Sequence, residues 1–214
     1  MPMIRRLALV ALTLAPLPAA AQEADSAAIL AGGCFWCVEA DFEGVEGVGD
    51  AISGFTGGTT PDPEYRRSGD HIEAVRVPYD SSEIDYRRIV ELFLRSIDPF
   101  DAGGQFCDRG LEYTPAIFAL DAEQRRIAEE EIAEAEAELG REIVVPVRDG
   151  GEFYPVGDYH QDYYKSEDRL GITSVGLAVT KATAYKRYRD RCGRDERVRE
   201  VWGEDAPFLP DAQG

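Results

Sequence analysis

The amino-acid sequence predicts a single two-layer α/β (α+β) domain in which helices flank a β-sheet. Short apolar runs that suit strands alternate with stretches of helical periodicity through the middle of the 214-residue chain. Loops rich in glycine and proline separate these runs. The sequence shows no repeat, low-complexity tract or obvious interdomain linker. We therefore expect one domain, with or without a C-terminal extension.

The predicted elements follow one another in a simple order. Strands are expected where apolar or alternating runs are bounded by turn residues, at 28–31, 47–55, 71–77, 116–120 and 143–147. Helices are expected where apolar residues recur at helical spacing, at 35–42, 86–97 and 122–139. Asp85 and Asp121 are the expected N-caps, and Gln124 is placed to complete a capping box. Gly140 should end the third helix.

The first 21 residues form a predicted signal peptide. Arg5 and Arg6 make a short basic region, and the apolar run 7–15 is too short to span a bilayer. Residues 19–21 are alanines, which fit a signal-peptidase site before Gln22. We expect an exported protein, periplasmic or secreted, with no membrane contact after cleavage. A retained N-terminal anchor is the alternative.

The chain is strongly acidic, with a formal net charge of −18. Nucleic-acid binding needs a basic face, so this charge argues against a nucleic-acid partner. The acidic residues are spread through the sequence, as is typical of a solvated surface.

The run Gly-Cys-Phe-Trp-Cys at 33–37 carries the clearest chemical signal. It follows a predicted strand and opens a predicted helix, so Cys34 should lie at a helix N-terminus. Free backbone N–H groups and the helix dipole favour a thiolate there, which predicts a lowered pKa and a nucleophilic sulfur. Phe35 and Trp36 are suited to hold a small apolar group of a substrate.

Glu73 is the second informative residue, and spacing leaves its role open. It shares a strand face with Val75 and Val77. If that face is buried, desolvation should raise the pKa of Glu73, as a general acid near neutral pH requires. If the opposite face is buried, Glu73 is solvated.

The four cysteines, Cys34, Cys37, Cys107 and Cys192, allow several interpretations. In an exported protein they could form two structural disulfides. A zinc site is a weaker alternative, because a single Cys-x-x-Cys pair lacks further ligands. A thioredoxin-like disulfide oxidoreductase would also place Cys-x-x-Cys on a helix after a strand. A binding module stapled by disulfides is the non-enzymatic alternative.

Several separate motifs in order resemble one known family, the peptide methionine sulfoxide reductases of the A type. The similarity covers roughly residues 28–165, and its motifs lie at 33–36, 54–58, 61–65, 71–75, 108–110 with Tyr113, and 160–161 with Tyr163. The resemblance implies a mixed sheet with helices packed around it. It also implies reduction of the S epimer of methionine sulfoxide, free or in proteins.

The resemblance also implies roles for individual residues. Cys34 matches the nucleophile that attacks the sulfoxide sulfur. Phe35 and Trp36 match the aromatic pocket for the substrate methyl group. Glu73 matches the acid that protonates the sulfoxide oxygen, which favours the inward orientation of its strand face.

Polar residues from three further motifs complete the implied site. Tyr65 and Tyr113 match the two phenols that hydrogen-bond the sulfoxide oxygen. Asp108 matches a polar residue that helps to organise the pocket. His160 and Glu39 also fit the family pattern, and we interpret both as structural.

Recycling is the least determined step. Attack leaves a cysteine sulfenic acid, which a second thiol must convert to a disulfide that a thioredoxin-like partner reduces. Cys37 and Cys192 are equally good candidates for this resolving thiol, with Cys107 behind them. No cofactor and no metal are implied. The expected organisation is a signal peptide at 1–21, a reductase domain at 22–170 and a C-terminal extension at 171–214 that carries Cys192.

Overall fold

The computed structural model describes residues 26–173 and 176–210. The predicted signal peptide, residues 1–21, lies outside these ranges. Within them, no helix is both long enough and apolar enough to cross a bilayer.

The three predicted helices and most predicted strands occur in the expected order, and the structure adds short strands and two C-terminal helices that were not predicted. The strands are β1 (Ser26–Ala31), β2 (Ile52–Thr56), β3 (Ile72–Tyr79), β4 (Gly104–Gln105), β5 (Asp108–Arg109), β6 (Ala116–Ala119), β7 (Val147–Asp149), β8 (Tyr154–Pro155), β9 (Ile172–Thr173) and β10 (Gly176–Leu177). The α-helices are α1 (Phe35–Phe42), α2 (Tyr86–Leu94), α3 (Ala122–Leu139), α4 (Lys181–Cys192) and α5 (Arg194–Trp202). A short 3₁₀ helix covers Leu111–Tyr113.

The central sheet is mixed, which confirms the predicted fold class. Its strand order is β7-β6-β1-β3-β2-β8. The β6–β7 pair is parallel, whereas the other neighbours in this sheet are antiparallel. In the β2–β3 pair Phe55 lies opposite Glu73, and in the β1–β3 pair Leu30 lies opposite Val75. The strand before Cys34 and the strand that carries Glu73 are therefore direct neighbours.

One face of the sheet builds the main hydrophobic core with the helices. Leu30, Val75 and Val77 from the strands pack there with Phe42 of α1 and Phe93 of α2. Arg76, between the two valines, is exposed. Burial of apolar side chains on this face contributes about 1.5–3 kcal/mol for each large residue.

The predicted caps are confirmed. The Asp85 side chain accepts a hydrogen bond from the Arg88 N–H at 2.8 Å, and Asp121 accepts one from the Gln124 N–H at 2.8 Å. Gly140 follows α3 with φ 64°, a left-handed conformation that glycine adopts without strain.

Three predicted boundaries are wrong. β2 begins at Ile52 rather than at residue 47, and α2 ends at Leu94 rather than at residue 97. The last strand of the central region is Val147–Asp149, although 143–147 was expected. Ile143 and Val145 are buried in the core without strand pairing, which explains why their apolar pattern resembled a strand.

The C-terminal helices pack against the same core. Gly193, with φ 67°, separates α4 from α5. Val198 and Trp202 of α5 join the main core, and the Trp202 indole N–H donates to the Ile97 carbonyl at 3.1 Å. The segment that the sequence sets apart as an extension thus contacts the body of the domain.

Candidate active site

Cys34 lies at the N-terminus of α1, as predicted. It is the N-cap residue and is buried. Gly33, directly before it, has φ 82°, and a Cβ there would lie 2.6 Å from Cβ of Gln105. Only glycine fits this turn, which brings the end of β1 into the helix that carries the sulfur.

Glu73 points inward, so the structure decides between the two orientations left open by the sequence. Glu73 is 2% exposed, and its Oε2 accepts a hydrogen bond from the Phe35 N–H at 3.0 Å. Burial raises the pKa of Glu73 well above its usual range, against the opposing effect of the Phe35 N–H. The charges of Glu112 and Asp108 raise it further. A neutral carboxylic acid at the end of α1 is therefore available near neutral pH.

The sulfur of Cys34 interacts with a second sulfur one helical turn later. Burial raises the pKa of the Cys34 thiol well above its usual range, and the hydrogen bond with Cys37 and the Cys37 charge raise it further. That hydrogen bond lowers the pKa of Cys37, and Arg194 then lowers it further, against the effect of burial. The lowered pKa that the sequence predicts for Cys34 is wrong for this site, because desolvation outweighs the helix N-terminus.

Tyr65 and Tyr113 are half-buried beside the acid. Burial raises the pKa of both phenols, and the Glu73 charge is the next cause in each case. Both groups thus remain O–H donors at neutral pH. The structure brings these phenols, Glu73 and Cys34 together as the sequence analysis expects.

An aromatic cluster stands beside Cys34. The rings of Trp36 and Tyr163 stack with centroids 4.0 Å apart, and Tyr65 and His160 lie 4.1 Å apart. Phe35 lies 5.8 Å from Trp36. Burial lowers the pKa of His160 to about 4, so its ring is neutral in the cluster. His160 packs against the aromatic residues rather than contributing a charge.

Glu39 connects α1 to the loop that carries His160 and Tyr163. Its Oε1 accepts from the Asp162 N–H at 2.8 Å, and its Oε2 accepts from the Ser53 hydroxyl at 2.8 Å. Burial raises the pKa of Glu39 to about 7. These contacts agree with the structural role that we expected for Glu39.

Asp108 lies in a hairpin at the edge of the pocket, formed by β4 and β5. Its carboxylate accepts a hydrogen bond from the Tyr188 hydroxyl of α4. Burial raises the pKa of Asp108, whereas the Tyr188 hydrogen bond and the Arg194 charge act to lower it. Sequence reasoning missed Tyr188. The only available signal was its spacing of four residues from Cys192 in a helix-like run.

The cysteines separate into two pairs. Cys107 and Cys192 form a disulfide with a Cα–Cα distance of 4.9 Å, while Cys34 and Cys37 are free and buried. The alternative of two structural disulfides is therefore wrong. Cys107 is exposed at the hairpin, and Cys192 is half-buried at the end of α4.

A buried ion network lies behind the Cys34–Cys37 pair. Asp41 of α1 binds Arg194 at 3.0 Å and Arg189 at 2.6 Å. Arg194 is 1% exposed and also donates to the Gly32 carbonyl at 3.4 Å. Its charge acts on Cys37. Sequence reasoning missed this network, because Asp41 lies more than 140 residues from both arginines in the chain and no local motif marks them.

Comparison with known sequences gives one family. The family described as "Peptide methionine sulfoxide reductase" matches residues 26–194. The chain is 45% identical over 192 residues to "Peptide methionine sulfoxide reductase MsrA 2" of Rhizobium meliloti, covering 89% of each chain. It is 41% identical over 197 residues to a protein of the same name from Caulobacter vibrioides, covering 88% of this chain and 91% of that one.

Solved structures agree with the fold. Methionine sulfoxide reductase A of Corynebacterium diphtheriae superposes with a TM-score of 0.58 at 26% identity, covering 73% of this chain and 84% of that one. Reduced Mxr1 from Saccharomyces cerevisiae gives a TM-score of 0.63 at 22% identity, covering 72% and 92% respectively. The yeast similarity concerns the fold alone.

Proposed function

The chain belongs to the peptide methionine sulfoxide reductase family and is an oxidoreductase that reduces methionine sulfoxide; we propose that it repairs the S epimer, free or in proteins, with Cys34 as nucleophile and Glu73 as acid. The observation that carries this proposal is the buried Glu73 carboxyl hydrogen-bonded to the first N–H of the helix that Cys34 begins. The hydrogen bond places the proton donor Glu73 next to the start of the helix at Cys34, and aromatic rings line the same site.

The chemistry proposed for the first step balances without a cofactor. The Cys34 sulfur attacks the sulfoxide sulfur, the sulfur–oxygen bond of the substrate breaks, and methionine leaves. The oxygen passes from the substrate sulfur to the Cys34 sulfur, where the new sulfur–oxygen bond makes a sulfenic acid, and the transient bond between the two sulfurs breaks as methionine leaves. Glu73 protonates that oxygen, and the proton of the Cys34 thiol, which is held next to Cys37, replaces the one that Glu73 gives. Tyr65 and Tyr113 donate hydrogen bonds to the developing charge.

For recycling we favour Cys37 as the resolving thiol. It is free and hydrogen-bonded to Cys34, whereas Cys192 is engaged with Cys107. Attack of Cys37 on the sulfenic sulfur forms a Cys34–Cys37 disulfide and releases water. A thioredoxin-type dithiol then reduces the disulfide, directly or through exchange with Cys107 and Cys192. Exposure of Cys107 supports a role for this second pair in contact with the external reductant.

We also propose that the protein acts in the periplasm or is secreted, after cleavage before Gln22. The basic, apolar and small-residue segments of residues 1–21 support this location. Mass spectrometry of the exported protein should find a mature N-terminus at Gln22, and a full-length cytoplasmic form would contradict the proposal.

The function is tested by counting the methionine that each enzyme molecule releases. Purified wild type is mixed with the S or the R epimer, first without reductant and then with thioredoxin. We expect release from the S epimer only, none from Cys34→Ser, and loss of multiple turnover but not of the first turnover from Cys37→Ser. Reduction of the R epimer would contradict the epimer assignment. If disulfides are reduced but sulfoxide is not, the protein is a thioredoxin-like oxidoreductase instead.

A further inference from the structure

Three consecutive residues of the pocket hairpin contact the C-terminal helices. The Arg194 guanidinium carbon lies 4.8 Å from the ring centroid of Phe106. Cys107 is bonded to Cys192, and Asp108 accepts from the Tyr188 hydroxyl. Residues 106, 107 and 108 contact residues 194, 192 and 188 in that order, so the hairpin segment runs antiparallel to the end of α4 and the start of α5.

The backbone of the hairpin needs this support. Phe106 has φ 52°, a left-handed conformation that a bulky residue adopts only at a cost of about 1–2 kcal/mol. Its neighbours Gln105 and Asp108 pair across the hairpin. Contacts from α4 and α5 therefore hold a locally unfavourable turn, and with it the position of Asp108.

Tyr188 connects the hairpin contacts to the reactive cysteines. It is half-buried on α4, and it packs with the cluster that contains Cys34 and Cys37. Burial raises the pKa of Tyr188, and the charges of Cys34 and Cys37 are the next causes. The phenol therefore stays protonated and acts as a donor. Its hydroxyl donates to the carboxylate of Asp108, whose charge acts on Cys34.

The disulfide of Cys192 and the hydrogen bond of Tyr188 lie on the same face of α4. Tyr188 and Cys192 are four residues apart, so they are neighbours on the helix surface. The disulfide holds this face of the helix at residue 107, next to the Asp108 carboxylate that accepts from the Tyr188 hydroxyl.

We propose that Tyr188 is a positioning residue for the reductase reaction: it packs beside Cys34 and Cys37, and its hydroxyl holds the Asp108 carboxylate in place at that side of the site. This inference rests on the proposed function of the same site. It makes the C-terminal helix α4 part of the active site, although the helix carries no group that reacts with the substrate in the proposed step.

Other charged and titratable groups also act on Asp108. The Arg194 charge favours the ionised form, and the Glu112 charge opposes it. Exchanging Tyr188 for phenylalanine removes a donor to the carboxylate while burial and both of these charges remain. The ionisation of Asp108 should therefore move to higher pH in that variant.

The first test is spectroscopic and does not require turnover. Tyr188→Phe keeps the ring but loses the hydroxyl, so the melting temperature should change little. Carbon-13 NMR of labelled aspartate should show the Asp108 titration at higher pH in the variant than in wild type. The matched control is Tyr164→Phe, because the Tyr164 hydroxyl donates to another carboxylate, that of Glu43, at 2.5 Å. The control should leave the Asp108 titration unchanged.

The second test is a double-mutant cycle on the first turnover, measured without reductant. We expect Tyr188→Phe to slow methionine release about tenfold and to shift its pH profile. In an Asp108→Asn background the same exchange should have no further effect, because the positioning acts through that carboxylate. Equal losses in both backgrounds, or an unchanged Asp108 titration, would overturn the proposal. A wild type that releases no methionine would instead contradict the proposed function.

Discussion

Glu73 is a carboxyl group placed where an uncharged side chain is favoured. It lies within a sheet face that is otherwise apolar, and burial is the main cause of its raised pKa. The folded protein therefore holds a proton on Glu73 that the unfolded chain gives up at lower pH. Stability contributed by this group is fully present below its unfolded pKa and is lost as the pH rises through the folded pKa.

Exchange of Glu73 for glutamine should separate activity from stability. The first turnover should slow on the order of 10²-fold, because the amide gives no proton to the sulfoxide oxygen. The free energy of unfolding should rise relative to wild type between about pH 4 and about pH 8, because glutamine avoids the cost of ionisation. Denaturant titrations at both pH values and quenched single-turnover assays measure the two effects.

The control for this pair of effects is Glu131→Gln on α3. Burial raises the pKa of Glu131 too, but that residue pairs with Arg87 outside the pocket. Its exchange should leave methionine release unchanged. A Glu73→Gln variant with a normal first turnover would show that another group supplies the proton.

At the scale of single residues, the sequence predicted the groups that belong to motifs and missed those that do not. Glu73 was ambiguous by alternation, and the family resemblance favoured its inward orientation. Tyr188 and Arg194 were not identified, because their partners Asp108 and Asp41 lie 80 and 153 residues away. The pKa of Cys34 was predicted wrongly, since desolvation depends on packing that a local sequence does not contain.

At the scale of secondary-structure elements, arginines of the C-terminal helices α4 and α5 neutralise a buried carboxylate of α1. Asp41 is buried on the side of α1 that faces Arg189 and Arg194. A buried carboxylate without its cation is unfavourable, and so is the reverse. This network joins α1, which carries the reactive sulfurs, to the junction of α4 and α5.

Removal of Arg194 should therefore destabilise the fold strongly. We expect Arg194→Ala to lower the free energy of unfolding by about 3–5 kcal/mol, because Asp41 loses one buried partner and a cavity remains. Arg126→Ala is the comparison, since the ion pairs that the described residues show for Arg126, with Glu123 and Glu130 on α3, are exposed. That exchange should cost about 1 kcal/mol or less. Urea unfolding of both variants measures the difference, and equal costs would argue against a structural role for the buried network.

Element boundaries were predictable where local capping determines them. Asp85, Asp121 and Gly140 mark helix ends through their own side chains or backbone conformations, so the sequence identified them. The strand Val147–Asp149 was displaced from its predicted position because its pairing with β6 decides which residues form the ladder. The alternating apolar residues Ile143 and Val145 are buried because they pack in the main core, and they have no strand partners.

For the whole molecule, the disulfide links positions that are 85 residues apart in the sequence. The loop that it closes contains β5 to β10, the 3₁₀ helix, α3 and all of α4. In the chain-entropy model, closing a loop of this size restricts the unfolded chain by about 4–5 kcal/mol. The free energy of unfolding should therefore depend on the redox state of this pair.

Reduction with dithiothreitol should lower the melting temperature of wild type. The double variant Cys107→Ser/Cys192→Ser should melt at a reduced temperature with or without the reductant, whereas Cys34→Ser should respond to the reductant as wild type does. Calorimetry under both conditions measures these differences. A melting temperature that dithiothreitol leaves unchanged in wild type would mean that the bond adds no net stability.

Because Cys107 is exposed, the bond that restrains the unfolded chain is also the sulfur pair most accessible to a passing dithiol. The stability of the fold and the proposed transfer of electrons from the reductant would then both depend on the sulfurs of Cys107 and Cys192. Each opening of the pair in the proposed electron transfer would leave the protein without this cross-link for a short interval. A compartment that quickly restores the bond would lengthen the working life of the enzyme, and one that keeps it open would shorten it.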